Sequence, residues 1–180
     1  TIILEGMSAN LVEELGGMKG ITPNFSRLSK EGVLFTNCYA NSFRTDRGTV
    51  SALSGYLGLP TVSIMKVPTK SRTLPAISEE LVKAGYHTDF LYGGDINFTN
   101  MKSYLLSKGY QKLTADTDFS LSERTSNVWG VNDDITSEWL LEELKKRPET
   151  DGPWFTTYLT LSSHEPFEVP YDCLEEKIPN

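Results

Sequence analysis

A threonine flanked by two arginines is the first place in this sequence where chemistry is legible. Thr45 lies in Asn41-Ser-Phe-Arg-Thr-Asp-Arg-Gly48, with Arg44 and Arg47 beside it, and a run of small residues follows to Gly55. The stretch begins where an apolar run ends and continues as a helix pattern, so the spacing predicts Thr45 at a strand-to-helix turn. Such a turn aims backbone N–H groups and the positive end of a helix dipole at one point, which suits an anionic group such as a phosphate or sulfate. The other reading is an ordinary N-cap, for which threonine is a preferred residue. Glu5 follows the apolar run Thr1-Ile-Ile-Leu4. A carboxylate just past a buried strand is paired, bound to a metal, or turned out into an exposed loop. His164 sits in Ser162-Ser-His-Glu-Pro-Phe167, directly after the β-prone run Trp154–Leu161. It reads as a metal ligand, a substrate hydrogen-bonder, an acid, or a loop histidine stacked on Pro166 or Phe167.

A threonine hydroxyl hardly ionises at neutral pH, so a nucleophilic Thr45 needs a cation on its oxygen and a helix N-terminus behind it. Glu5 and Thr45 alone fall short of the roughly four or more ligands that Zn, Mn or Mg takes, so further ligands must come from elsewhere. With cationic groups to steady the anion, the set resembles a metal-assisted displacement site.

The elements that must position these residues follow a strand, loop, helix, strand order. Thr1–Leu4, Val33–Tyr39, His87–Tyr92 and Trp154–Leu161 are apolar or β-branched runs that read as strands. Thr22–Gly32 and Leu74–Gly85 each carry Pro near the start and Gly past the end of a helix, with Phe25 and Leu28, then Ile77, Leu81 and Val82, as apolar faces. Asn100–Ser107 and Asp133–Lys146 are further helices. The last has acids at its start and Lys145, Lys146 and Arg147 at its end, matching the dipole, and Ile135, Trp139, Leu140 and Leu144 on one side. Runs this apolar are not strands of a sheet wet on one face. They predict an α/β fold, a mostly parallel sheet covered by helices on both sides. Residues 114–132 read as a polar surface excursion. Ligands of open α/β sheets sit at the carboxyl ends of the strands, which places Glu5, Asn41–Thr45, Gly93–Asn100 and Ser162–Phe167 along one edge; His87 falls at the opposite edge.

At 180 residues the chain fits one domain, and its 38% hydrophobic and 23% charged content is that of a folded protein. A net charge of −7 argues against nucleic acid as a partner. The two cysteines, Cys38 and Cys173, form no metal-binding pattern, and Cys38 reads as a small buried residue. No apolar run approaches a membrane span. Both ends read as cuts within a longer protein.

The motifs Leu4-Glu-Gly-Met-Ser8, Asn41–Gly48, Tyr92-Gly-Gly-Asp-Ile-Asn-Phe-Thr-Asn-Met101, Trp129-Gly-Val-Asn-Asp133 and Ser163-His-Glu-Pro-Phe167 occur in this order. In this the chain resembles the extracytoplasmic catalytic domain of lipoteichoic acid synthase-like phosphoglycerol transferases, members of the sulfatase and alkaline phosphatase superfamily. The resemblance covers essentially the whole chain. It implies an alkaline phosphatase-like fold, a membrane-anchored parent at the cell membrane, and a catalytic domain facing the periplasm or the outside. Glu5 matches the family's metal-binding glutamate, Thr45 its nucleophilic and metal-binding threonine, and His164 a substrate-site histidine. Beyond these matches, Arg44 or Arg47 is expected to neutralise the phosphate, and Asp95 and Asn97 to contact the substrate. The implied cofactor is a divalent cation, Mn, Mg or Zn. The family's remaining metal ligands form an Asp-His pair later in its sequence. None follows His164 here, so residues 1–180 resemble the N-terminal part of a single catalytic domain.

The departures narrow the expected activity. Sulfatases carry Cys or Ser in a C/S-x-P-S-R pattern, with Gly ten residues after the nucleophile. Thr45 and Gly55 keep that spacing, but position 45 is Thr, Arg47 replaces the Pro, and Gly48-Thr49 replaces Ser-Arg. A formylglycine nucleophile cannot be made from threonine, which disfavours sulfate-ester hydrolysis. Lipoteichoic acid synthases carry Phe-Trp-Asn-Arg where this chain has Phe98-Thr-Asn-Met101. Tyr92–Phe98 looks more like relatives from Gram-negative bacteria, so the expected acceptor is a glycan or polyol other than lipoteichoic acid. The expectation is phosphoglycerol transfer from an anionic phospholipid through a covalent intermediate on Thr45. The rivals are phosphoethanolamine transfer or sulfate-ester hydrolysis on the same fold, and a non-catalytic glycan- or lipid-head-group-binding domain.

Overall fold

The computed structural model describes residues 1–148 and 152–168. The chain divides into two compact units. One comprises Thr1–Glu5 with Ala40–Glu168, and the other contains Gly6–Tyr39.

The larger unit is built on a four-stranded parallel sheet in the order β1-β4-β2-β3. The strands are β1 (Ile2–Ile3), β2 (His87–Tyr92), β3 (Lys112–Thr114) and β4 (Trp154–Leu159). Register aligns Asp89 with Thr156, Phe90 with Thr157, Leu91 with Tyr158 and Tyr92 with Leu159. Because side chains alternate along a strand, this sorts the two faces. Phe90, Thr157 and Leu159 meet the core formed with Val50, Leu53, Met65, Met101, Tyr104, Leu105 and Tyr110. These come largely from α2 (Thr45–Ser54) and α5 (Met101–Ser107). Asp89, Thr156 and Tyr158 lie on the opposite face, toward α7 (Asp133–Lys145): the Tyr158 hydroxyl lies 2.7 Å from that of Thr136. Helices therefore flank both faces, as the apolar runs require.

Polar anchors tie the helices down. Arg147, just past α7, donates to Asp89 Oδ2 and to Thr156 Oγ1, both at 2.7 Å, and lies over the Trp154 ring at 4.4 Å. On α4 (Ile77–Lys83), Ser78 donates to the Lys108 carbonyl at 2.6 Å. The fully buried Lys108 ammonium bonds the carbonyls of Arg72, past α3 (Pro68–Ser71), and of Leu74. A buried ammonium is tolerable only with its donors so occupied. Gly130 (φ 141°) packs against Gly93, whose carbonyl accepts from Val131 N–H at 2.9 Å. A Cβ at 130 would press on that carbonyl, which joins the end of β2 to the loop between α6 (Leu121–Arg124) and α7.

The smaller unit holds α1 (Pro23–Glu31), which starts at Pro and stops at Gly32 as its sequence predicts. Thr22 Oγ1 donates to the Leu11 carbonyl at 2.6 Å and Ser26 Oγ to Glu14 at 2.9 Å, fixing the helix to two short 3-10 turns.

Several expectations are corrected. Val33–Tyr39 is not a strand; it pairs with no other described segment, and Val33, Phe35 and Tyr39 are 75–83% exposed. An apolar run becomes a strand only where a sheet edge receives it. Cys38, on the same run, is exposed rather than buried, and Cys173 lies outside the described residues. Thr45 is not the N-cap of α2; Arg44 is, and Thr45 is the first helical residue. Leu28, Ile77 and Leu144 lie on the exposed surface, while Ser78 and Thr136 are the buried residues of α4 and α7. Residues 114–132 are not merely a surface excursion: Ala115, Asn127, Val131 and Asn132 are buried, and the segment begins at the end of β3.

Candidate active site

β1, β2 and β4 run parallel, so the segments leaving their carboxyl ends emerge on one edge of the sheet. The first carries Glu5. Its backbone N–H donates to Thr160 Oγ1 at 2.8 Å, and Thr160 N–H donates to the Ile3 carbonyl at 3.0 Å, so the residue after β4 pins Glu5 to the sheet. Thr45 begins α2, and its hydroxyl donates to Glu5 Oε2 at 2.8 Å, linking residues forty apart in sequence. Both are half-buried. Glu5 is thus neither an unpaired buried charge nor a free loop carboxylate.

The charges around Thr45 are mixed. Asp46 is buried in the first turn of α2, with Arg44 Nε at 3.7 Å and Lys66 Nζ at 3.9 Å from its carboxylate. A carboxylate in a first helical turn is favoured by the dipole, and here the two cations balance it. Arg44 is exposed and turned toward Asp46; Arg47 spends a guanidinium N–H on the Thr61 carbonyl at 3.0 Å. Past β2, Asp95 Oδ1 accepts from the Asn97 backbone N–H at 2.8 Å and its amide at 3.0 Å, forming an exposed turn. Asn97 lines a groove with Asn100, Lys102, Ser103 and Leu106. Asp95 and Asn97 thus bond each other.

Tyr92 ends β2 within this field. Burial, and then the negative charges of Glu5, Asp95, Asp116 and Asp133, push its hydroxyl well above the ordinary phenol range, so it remains a neutral donor at physiological pH.

The third segment carries His164. Asp133 at the start of α7 receives the N–H groups of Leu161 at 2.7 Å and Ser162 at 2.8 Å, which clamps the turn after β4. His164 Nδ1 lies 2.9 Å from the Glu165 carbonyl, and its ring packs on Trp129 with centroids 4.3 Å apart. Sequence reasoning assigned no part to Thr160, Asp133 or Trp129 in holding these residues. Trp129 and Asp133 share a motif that singles them out, but a short stretch of sequence does not say which loop they brace.

Among the described residues no three His, Cys, Asp or Glu side chains converge as a metal site. Glu5 and Thr45 present adjoining oxygen donors, which fit as part of a hard-cation shell and fall short of a closed one.

The Sulfatase family model matches residues 1–178. The chain belongs to the sulfatase family. This sulfatase-family chain is 25% identical over 172 residues to the lipoteichoic acid synthase-like protein YvgJ of Bacillus subtilis, covering 93% of this chain and 27% of that protein. It is 26% identical over 176 residues to the lipoteichoic acid synthase of Staphylococcus aureus, covering 93% of this chain and 26% of the synthase. The chain therefore spans about a quarter of the length of these relatives. Among solved structures, an alkaline phosphatase superfamily protein from Vibrio parahaemolyticus superposes with a TM-score of 0.85 at 30% identity, over 99% of this chain and 43% of that one. The lipoteichoic acid synthase LtaP of Listeria monocytogenes superposes at 0.84 with 19% identity over 99% of this chain and 43% of that one, which establishes the shared fold. No described helix is long and apolar enough to cross a membrane.

Proposed function

We propose that this chain is the nucleophile-bearing part of a phosphoglycerol transferase domain, with Thr45 as the group that takes the phosphoryl unit. The observation that carries the reading is the 2.8 Å hydrogen bond from Thr45 at the head of α2 to Glu5 at the end of β1. It holds a hydroxyl in one orientation beside a helix N-terminus, where negative charge developing on a phosphate is stabilised. In the first step the Thr45 oxygen bonds to the phosphorus of a phosphatidylglycerol-type diester. The bond to the diacylglycerol oxygen breaks, and the proton lost from Thr45 is balanced by one gained on that oxygen. An acceptor hydroxyl on a glycan or polyol then displaces Thr45 and returns the proton to it.

Glu5 orients the hydroxyl. Arg44 or Arg47 would supply positive charge for the phosphate, and His164, Asp95 and Asn97 would contact the glycerol unit. Glu5 and Thr45 would hold a divalent cation, Mn, Mg or Zn, together with ligands from beyond this chain; when bound it would lower the hydroxyl pKa and neutralise phosphate charge. The resemblance implies a membrane-anchored parent with this domain outside the cytoplasm.

The test is turnover of the parent protein on vesicles of phosphatidylglycerol, on phosphatidylethanolamine and on an aryl sulfate. Diacylglycerol release from phosphatidylglycerol alone, abolished in Thr45→Ala and by chelation, supports the reading. Release from phosphatidylethanolamine or sulfate would replace it with phosphoethanolamine transfer or sulfate-ester hydrolysis. Head-group binding without turnover in the parent would make the domain a binding module.

A further inference from the structure

Trp129 stands on the loop before α7, remote in sequence from His164, yet it is built into the support of that histidine. Its backbone N–H donates to Asn127 Oδ1 at 2.9 Å. Buried Asn127 passes an amide N–H to Asn132 Oδ1 at 3.3 Å, and the same oxygen accepts from Ser162 Oγ at 3.3 Å. Asp133 N–H donates to Ser162 Oγ at 2.8 Å. One satisfied polar network therefore fixes both the Trp129 loop and the turn after β4, and such networks hold a single arrangement.

From this frame the indole reaches across. Its N–H donates to the Glu165 carbonyl at 2.7 Å, and its ring lies against the His164 imidazole, with centroids 4.3 Å apart and planes at 51°. The carbonyl that receives the indole is also 2.9 Å from His164 Nδ1. A carbonyl oxygen has two lone pairs and no proton, so it accepts from both rings at once, and the imidazole hydrogen must sit on Nδ1. Neutral His164 then keeps its lone pair on Nε2, as an acceptor for a substrate hydroxyl.

We propose that Trp129 is a positioning residue for His164: it anchors the Glu165 carbonyl and backs the imidazole, holding the histidine as the Nδ1–H tautomer with Nε2 as acceptor. The functional consequence rests on the assignment of His164 to the substrate site; the tautomer itself does not.

The test uses 15N-histidine labelling of the full chain. It contains only two histidines, so His87→Gln leaves the His164 signals alone. Above the imidazole titration, His164 should show a pyrrole-type Nδ1 and a pyridine-type Nε2. Trp129→Phe keeps a ring and removes the N–H donor. It should cut the Nδ1–H population by at least about half, toward the Nε2–H form that free imidazoles prefer, and Trp129→Ala should complete the shift. An unchanged population in Trp129→Phe overturns the proposal, and this variant decides the matter if Trp129→Ala does not fold. In the parent assayed on phosphatidylglycerol vesicles, Trp129→Phe should lower kcat about 10-fold, the loss typical of a partner that orients a functional histidine, and should have no further effect in a His164→Gln background. Full activity of His164→Gln, with the tautomer as expected, would remove His164 from the site and leave its positioning intact. An inactive His164→Gln beside an unaltered tautomer in Trp129→Phe would do the reverse.

Discussion

Asp133→Asn removes one charge and almost no volume, and the structure says what it should do. Asp133 Oδ1 accepts from Leu161 N–H at 2.7 Å and Oδ2 from Ser162 N–H at 2.8 Å, while the Tyr158 hydroxyl stands at 3.3 Å from Oδ1. Both backbone bonds are charge-assisted, and each is worth about 1.5–3 kcal/mol. Asparagine keeps one oxygen, so its amide must turn two hydrogens toward one of these N–H groups. One bond is lost with a donor left facing a donor, and the other weakens to a neutral bond. Asp133 also sits in the first turn of α7, where a negative charge contributes about 0.3–1 kcal/mol through the helix dipole. The expected loss is about 2–4 kcal/mol, a large share of the roughly 5–15 kcal/mol that stabilises a domain. Urea unfolding measures it, and hydrogen exchange locates it, with the Leu161 and Ser162 amides losing protection first. A loss below about 1 kcal/mol with both amides protected as in the unaltered chain would refute the assignment of Asp133 as the clamp of the His164 turn.

Other substitutions, and a rise in pH, have equally specific expected outcomes. Arg147→Ala should cost about 3–5 kcal/mol in chemical unfolding, because it strands Asp89, whose side chain is only 11% exposed; adding Asp89→Asn should recover part of that loss. Burial pushes the hydroxyls of Tyr104, Tyr110 and Tyr158 up to about 12 from 10.0, so the folded state stays protonated while the unfolded chain ionises. Their contribution is fully present below pH 10 and drains away between about pH 10 and 12, by roughly 2–3 kcal/mol per tyrosine, which alkaline unfolding followed by tyrosine absorbance would read. Gly130→Ala should destabilise by about 2 kcal/mol or more, because a Cβ at φ 141° is strained and meets the Gly93 carbonyl; thermal unfolding checks it.

Much of this chain is legible without coordinates because the signals are local. Pro23 and Gly32 bound α1, and the acids and bases at the ends of α7 orient its charges along the dipole. The apolar runs Ile2–Ile3, His87–Tyr92 and Trp154–Leu159 are strands, and their parallel order puts Glu5 and the His164 turn on one edge. Thr45 at a helix start could be read from its neighbours, though its place inside rather than before the first turn could not, since cap position depends on backbone angles. Val33–Tyr39 shows the limit of the apolar-run signal: β propensity reports fitness for a sheet, not the presence of an edge.

What the sequence determined by itself is three of the four strands, the longer helices, the nucleophile candidate and the family pattern of motifs; β3 (Lys112–Thr114) and the short helices it did not mark. What only the tertiary structure decided is which groups meet. Glu5 bonds Thr45 across forty residues, and Thr160 and Asp133 hold the two segments in place. His164 rests on Trp129, a residue far from it in sequence. These pairings depend on the register of a parallel sheet and on loops that return to its carboxyl edge. Hydrogen bonds are specific at the scale of tenths of an ångström, and residue spacing along the chain does not carry that information.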